Sequence, residues 1–330
     1  MMRLRRVRVV VAVLAAAGLL VSLLSSNSGA QSEYLGGIGM PYDAFERLPK
    51  TELQVGGGIV QVAFAPGRVE LPRETVLDWV KRSAEAVSVY YGRFPIKRVK
   101  LLIVPVGGRG VQGGTTWGYR GGAIRIKLGS DASEAELLRD WIMVHEMVHL
   151  ALPDLIDRFS WLSEGLAVYV EPIARVQAGH LPARDVWASL MRGMQNGMPR
   201  GDDGGLDNTS SWGRTYWGGA IFCLIADLEI RKRTNNRFGL QDAMRGVLAA
   251  GGNHEVRSWS IEKVLKTADA ATGVDVMMRL YEQMGPQAME PDLPGIWQKL
   301  GLSVRNGRIE VDDTAPWASF RASVTKTPTL

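Results

Sequence analysis

Five consecutive residues, His145-Glu146-Met147-Val148-His149, constrain this chain more than any other stretch. On a helix, residues four apart share one face, so both imidazoles can reach the same ion. A spacing of two would put the rings on opposite sides. Glu146 follows the first imidazole and is placed to take a proton from a water at that ion. With four histidines and seventeen glutamates in the chain, chance yields this pattern in roughly one such sequence in four hundred. Leu137, Leu138, Trp141, Ile142, Val144 and Val148 make the surrounding helix apolar. Buried histidines and a buried glutamate are costly there unless something binds them. The alternative, two core histidines satisfied by hydrogen bonds, leaves Glu146 without a role. A catalytic zinc needs a third protein ligand and an open position. Glu164, the lone acid in Trp161-Leu162-Ser163-Glu164-Gly165-Leu166-Ala167, is the candidate. A carboxylate in that apolar helix gains from a dication beside it; stabilisation by the helix dipole is the simpler alternative.

The rest of the chain bounds the setting. Its 330 residues are 46% hydrophobic and 22% charged, as in ordinary globular proteins. The formal charge of +5 is concentrated at the start, where Arg3, Arg5, Arg6 and Arg8 stand without an acid. Setting those four aside leaves 35 bases against 34 acids, so the body is nearly neutral and gives no electrostatic case for nucleic acid. Residues 1–30 have the form of an export signal: arginines, an apolar run over 9–24, then small residues at Ser28 and Ala30. Cleavage before Gln31 and retention as a single-span anchor both fit the pattern, and either carries the body out of the cytoplasm, as a periplasmic or secreted protein. A membrane contact is expected only through that segment if it is retained. Cys223, the sole cysteine, excludes an internal disulfide and reads as a buried apolar residue.

Periodicity divides the body at about residue 130. Residues 59–64 alternate as a strand, 74–91 have helical spacing ending at Gly92, and 99–106 form a continuously apolar, buried strand. Residues 107–114 read as a glycine-rich loop, and 122–128 as a half-buried or edge strand. Beyond 130 the pattern is helical. Capping boxes at Asp131/Glu134 and Ser133/Glu136 start a helix expected to run to just before Pro153. Further helices are expected over 161–170, 216–232, 239–249, 259–267, 273–284 and 293–300, with a hairpin over 302–311 turning at Asn306-Gly307. His180 and His254 fall in loop-like contexts and read as surface residues. Asp227, mid-helix, is a candidate support for a ligand histidine.

The motif His145-Glu-x-x-His149 followed by Trp-Leu-Ser-Glu164-Gly-Leu-Ala resembles the gluzincin metallopeptidases, the clan of aminopeptidase N, thermolysin and glycyl aminopeptidase. The resemblance spans residues 115–250, and the tail from Asp312 to Arg321 is weakly similar to the glycyl aminopeptidase group. It implies one zinc per chain on His145, His149 and Glu164, with Glu146 as general base. It also implies that Tyr216, in a Tyr-x-x-Gly setting, donates to the oxyanion; Arg214, two residues earlier, is the next candidate donor. Fourteen residues separate His149 from Glu164, fewer than in aminopeptidase N or thermolysin. The Gly-x-Met-Glu-Asn sequence of aminopeptidase N is missing; residues 121–126 stand at the corresponding strand. The polar 201–211 loop before Tyr216 reads as a segment able to close over substrate.

The expected architecture is therefore α+β and zincin-like. A small mixed α/β lobe with an edge strand, residues 31–130, faces a mostly helical lobe, residues 131–330, across a cleft holding the zinc. The expected activity is hydrolysis of peptides or envelope proteins. A zinc hydrolase of a non-peptide substrate and an inactive binding module of the same fold are the rival readings; the base Glu146 counts against the second.

Overall fold

A computed structural model describes residues 33–35 and 39–328. The export segment and the cleavage position before Gln31 lie outside them. Among the described residues no helix is long and apolar enough to cross a membrane.

After a short helix α1 (Tyr42–Arg47), strands β1 (Lys50–Val55) and β2 (Gly58–Phe64) form a hairpin. Its turn residues, Gly56 and Gly57, both have left-handed backbones (φ 54° and 79°), as a tight two-residue turn requires. Helix α2 (Arg73–Tyr91) then crosses to β3 (Arg98–Val106), and β4 (Val111–Trp117) and β5 (Ala123–Gly129) complete a five-stranded sheet. The spatial order is β1-β2-β3-β5-β4; β2, β3 and β5 run parallel, while β1 and β4 are antiparallel to their neighbours. Strand β3 is central and covered on both faces, which explains its unbroken apolar run. Val99, Leu101 and Ile103 face the main core under α2, and Leu102 and Val104 face a smaller cluster with Tyr42 and Phe45.

Two sequence expectations change here. The glycine-rich 107–114 stretch is not simply a loop, because its second half begins β4. And β5, not an edge strand, is hydrogen-bonded on both sides by β3 and β4. The alternation of basic residues in β5 has another cause: Arg125 is buried, donates to the Tyr34 carbonyl at 3.2 Å and stacks its guanidinium over Trp117 at 5.1 Å. The free edge on this side of the sheet is β4.

The helical part comprises α3 (Glu134–Arg139), α4 (Ile142–His149), α5 (Ser160–Gln177), α6 (Ala183–Gly193) and a π-helical turn, Gly213–Gly218, that runs straight into α7 (Gly219–Arg233). Helices α8 (Leu240–Ala249), α9 (Ile261–Thr272), α10 (Val276–Met284) and α11 (Leu293–Lys299) follow, then the hairpin β6 (Leu302–Arg305) and β7 (Arg308–Val311), and finally α12 (Ala318–Thr325). The hairpin turns at Asn306-Gly307, both with positive φ, as expected. In the tail, Arg321 is buried and bonds to Asp313 and to the Leu300 carbonyl, a purely structural anchor.

The helix expected from 133 to 152 is two helices. Ser133 and Glu136 form the capping box of α3, but Asp140 leaves the helical region (ψ 140°). Its carboxylate accepts the N–H groups of Ile142 and Met143 at 3.1 and 3.0 Å and so starts α4 afresh. Helix α5, by contrast, continues past the expected end at Val170 and through Pro172. An i, i+4 ion pair, Glu171–Arg175 at 2.6 Å, spans that point. Helices α5 and α7 touch backbone to backbone: a Cβ on Gly165 would lie 2.3 Å from the Cα of Gly219. Overpacking of this kind costs about 1–3 kcal/mol. Gly165→Ala should therefore lower the urea midpoint measurably while leaving the denaturant slope unchanged; unaltered stability would mean that the helices can separate freely.

Candidate metal centre

Helix α4 delivers the two histidines and α5 delivers the acid. His145 Nε2 lies 3.1 Å, and His149 Nε2 3.5 Å, from Glu164 Oε2. These donor atoms all fall within 4.8 Å of one another, a group that could hold a metal ion. The imidazoles are edge to face, with ring centroids 4.8 Å apart. Both histidines and Glu146 are buried. Ser163 Oγ sits 2.9 Å from His149 Nδ1, which fixes the ring and leaves Nε2 as the atom turned toward the group.

The electrostatics describe a site short of positive charge. Burial would raise the Glu164 pKa, but the hydrogen bonds from His145 and His149 outweigh it and hold the carboxyl well below its usual range. On His149 burial favours the neutral ring, yet Glu164 and then Glu146 outweigh it and raise the imidazole pKa. A dication between the three donors would satisfy the carboxylate directly and leave both imidazoles neutral. The donor set, two imidazole nitrogens and one carboxylate oxygen, suits zinc.

Glu146 lines the same cavity and is held from β4. Thr116 Oγ1 lies 2.6 Å from Glu146 Oε2 and donates to it. Two residues earlier in the strand, a Cβ on Gly114 would lie 2.4 Å from Glu146 Cγ, so glycine lets the strand pass close over this carboxylate. Gly114 and Thr116 were not singled out from sequence; the alternation Gly114-Thr115-Thr116-Trp117 carries a strand signal that the preceding glycines mask.

Tyr216 lies at the same site. It sits in the π-helical turn rather than opening an α-helix, a wider turn often found at functional positions. Its ring stacks on His145 at 6.3 Å and on Trp212 at 6.1 Å. Burial first, then the carboxylates of Glu164 and Glu146, push its hydroxyl up to about 12. The hydroxyl therefore keeps its proton at neutral pH and remains a donor.

Four other expectations are corrected. Arg214 is buried facing away from the group: it pairs with Asp203 at 2.7 Å and donates to the Gly197 carbonyl at 2.6 Å. It is a clamp and not an oxyanion donor. The 201–211 loop that it holds is further tied by Asp207, which accepts from Trp161 Nε1 and the Tyr281 hydroxyl; it is anchored rather than free to close. Asp227 accepts from the Tyr169 hydroxyl, Arg231 and the Leu240 N–H, all within the helical core. It supports neither histidine. His254 is not a surface residue: it is buried and lines the cavity of about 330 Å³ at the metal group, together with Thr116 and His149. His180 is half-buried. Cys223 is a free, fully buried thiol, as expected.

No protein-family model matches the chain, and no curated protein does. Among solved structures, it is similar to an aminopeptidase N family protein from Idiomarina loihiensis, with 14% identity and a TM-score of 0.57 over 78% of this chain and 50% of that one. The chain thus spans about half the length of that protein. It is also similar to an M1 zinc metallopeptidase from Deinococcus radiodurans, at 16% identity over 74% of this chain and 53% of that one, but the TM-score of 0.47 carries no weight. The fold is accordingly of the type seen in that aminopeptidase N family structure.

The placement of Arg214 has a measurable consequence. Arg214→Ala strands Asp203, whose side chain is 3% exposed, and removing one partner of a buried pair costs about 3–5 kcal/mol. Thermal unfolding should drop sharply, and limited proteolysis should open the 201–211 loop. A variant with parental stability and loss confined to turnover would restore a catalytic role for Arg214.

Proposed function

We propose that this protein is a zinc-dependent peptidase. The observation that carries the reading is the convergence of His145, His149 and Glu164 within 4.8 Å, beside a carboxylate, Glu146, that ligates nothing and is held by Thr116. His145, His149 and Glu164 would hold one zinc ion per chain. Zinc, when bound, supplies Lewis acidity to the scissile carbonyl and lowers the pKa of the attacking water.

The chain's own residues do the rest. Glu146 accepts the proton of the attacking water and passes it to the leaving amine. Tyr216 donates its hydroxyl hydrogen to the carbonyl oxygen as that oxygen gains negative charge. The unpaired edge of β4, which crosses directly over Glu146, offers N–H and C=O groups to an extended peptide backbone. The substrate is a peptide or a protein. Export through residues 1–30 would place it at the cell envelope or outside the cell. A binding module of the same fold would have no use for a proton acceptor at Glu146, so the hydrolytic reading is preferred.

Three measurements test this. A chelator should abolish peptide cleavage by the purified chain, with zinc restoring it; chelator-resistant cleavage, or none in the zinc-loaded protein, counts against the proposal. Glu164→Ala should lose most of its zinc by metal analysis, whereas Glu146→Gln should keep zinc and fold while turnover falls about 10²–10⁴-fold. Tyr216→Phe removes only the hydroxyl: kcat should fall about 10²–10³-fold with KM little changed. Retention of half the parental kcat would exclude that role.

A further inference from the structure

A second cavity, of about 420 Å³, opens off the metal group and shares His145 and Tyr216 with it. Its walls are apolar: Val168 and Pro172 of α5, Leu190 of α6, Leu181 and Trp217. Trp141 and Trp212 also line it, and their indoles are 50% and 63% exposed. Large apolar groups left in water around a concave site mark a place where another apolar group docks. The charged residues in this cavity are already committed. Arg175 pairs with Glu171 at 2.6 Å and also donates to the Arg139 carbonyl at 3.3 Å. Asp185 is held toward solvent beside Arg184 at 3.6 Å. A charged occupant of the inner cavity would give up its hydration beside a Glu171–Arg175 pair that is already closed, while Asp185, with a 60% exposed side chain, stays in water.

We infer that this cavity receives the side chain of the substrate residue at the scissile bond and selects a bulky, neutral, aromatic or branched aliphatic one. The inference rests on the peptidase reading, because His145 and Tyr216 place the cavity beside the bond to be cut. Its size suits one large side chain, and its depth reaches the buried Glu171–Arg175 pair. Small side chains leave the indoles wet and the cavity unfilled, so they forgo the burial that a large one gains. A hydrophobic pocket discriminates by about 10- to 200-fold per methylene group lost.

The test uses the zinc-loaded full chain and peptides that differ only in carrying Phe, Leu, Ala, Asp or Lys on either side of the bond cut, with products mapped. Cleavage should concentrate beside Phe and Leu, with kcat/KM at least about tenfold above Ala, and Asp and Lys should be rejected. Val168→Phe and Ser189→Trp fill the cavity from a half-buried and an exposed position. Each should lower the Phe-over-Ala ratio of kcat/KM about tenfold, with the zinc content unchanged; should Val168→Phe fail to fold, Ser189→Trp carries the test alone. Equal use of all five peptides, or an undiminished Phe preference in Ser189→Trp, overturns the inference and leaves the peptidase reading intact. If no peptide is cut, the peptidase reading fails by itself. Calorimetric titration with N-acetyl-phenylalaninamide and N-acetyl-alaninamide then decides the cavity: binding of the first alone, lost in Ser189→Trp, supports an apolar side-chain site, and no binding of either ends it.

Discussion

A half-buried carboxylate held against two buried imidazoles demands a cation or a shared proton, and much of this fold answers that demand. Glu164 alone would make the α5 interior unfavourable. It is tolerable because α4 presents His145 and His149 to the same point, 3.1 and 3.5 Å away. For that to happen α4 must start at a defined residue, which Asp140 ensures by breaking the preceding helix and capping the new one. The helix pair α4–α5 is then fixed from behind, where α5 meets α7 at Gly165 and Gly219 with no side chains between them. Each of these contacts helps to bring the three donor atoms within 4.8 Å of one another.

The same close approaches divide labour around the site. Gly114 lets β4 pass over Glu146, and Thr116 in the same strand then holds that carboxylate by its hydroxyl. The edge strand thus holds the Glu146 carboxylate while its outer side stays unpaired among the described residues. On the other side, the π-helical turn swings Tyr216 onto His145, where burial, and then Glu164 and Glu146, raise the pKa of its hydroxyl. Arg214, two residues earlier in the same turn, points the opposite way and locks the 201–211 loop through Asp203. One wide turn therefore supplies a donor to the cleft and an anchor to the scaffold.

Much of this was legible in the sequence. The i, i+4 histidines, the lone Glu164, the buried run of β3 and the Asn306-Gly307 turn are local patterns, and local geometry fixes their meaning: a helix turns 100° per residue whatever surrounds it. The residues that were misread all depend on partners distant in sequence. Arg125 looks like an outward-facing base on an edge strand until Tyr34 and Trp117 are brought to it. Asp227 looks like a ligand support until Tyr169 and Leu240 claim it. His254 looks like a loop residue until its segment folds against the end of α4, with its N–H on the Leu150 carbonyl.

By itself, then, the sequence determined which atoms could bind a metal, which carboxylate stands next to them, and that strands precede helices, because periodicity and residue chemistry are properties of neighbours along the chain. Only the tertiary structure decided which strand lies at the edge, which of Tyr216 and Arg214 faces the cleft, and that an apolar cavity opens beside His145. Strand order, the direction of a side chain on a wide helical turn and an enclosed volume are relations between segments tens of residues apart. They are set by the packing of whole elements, whose side chains must fill space together, and no window of the sequence contains them.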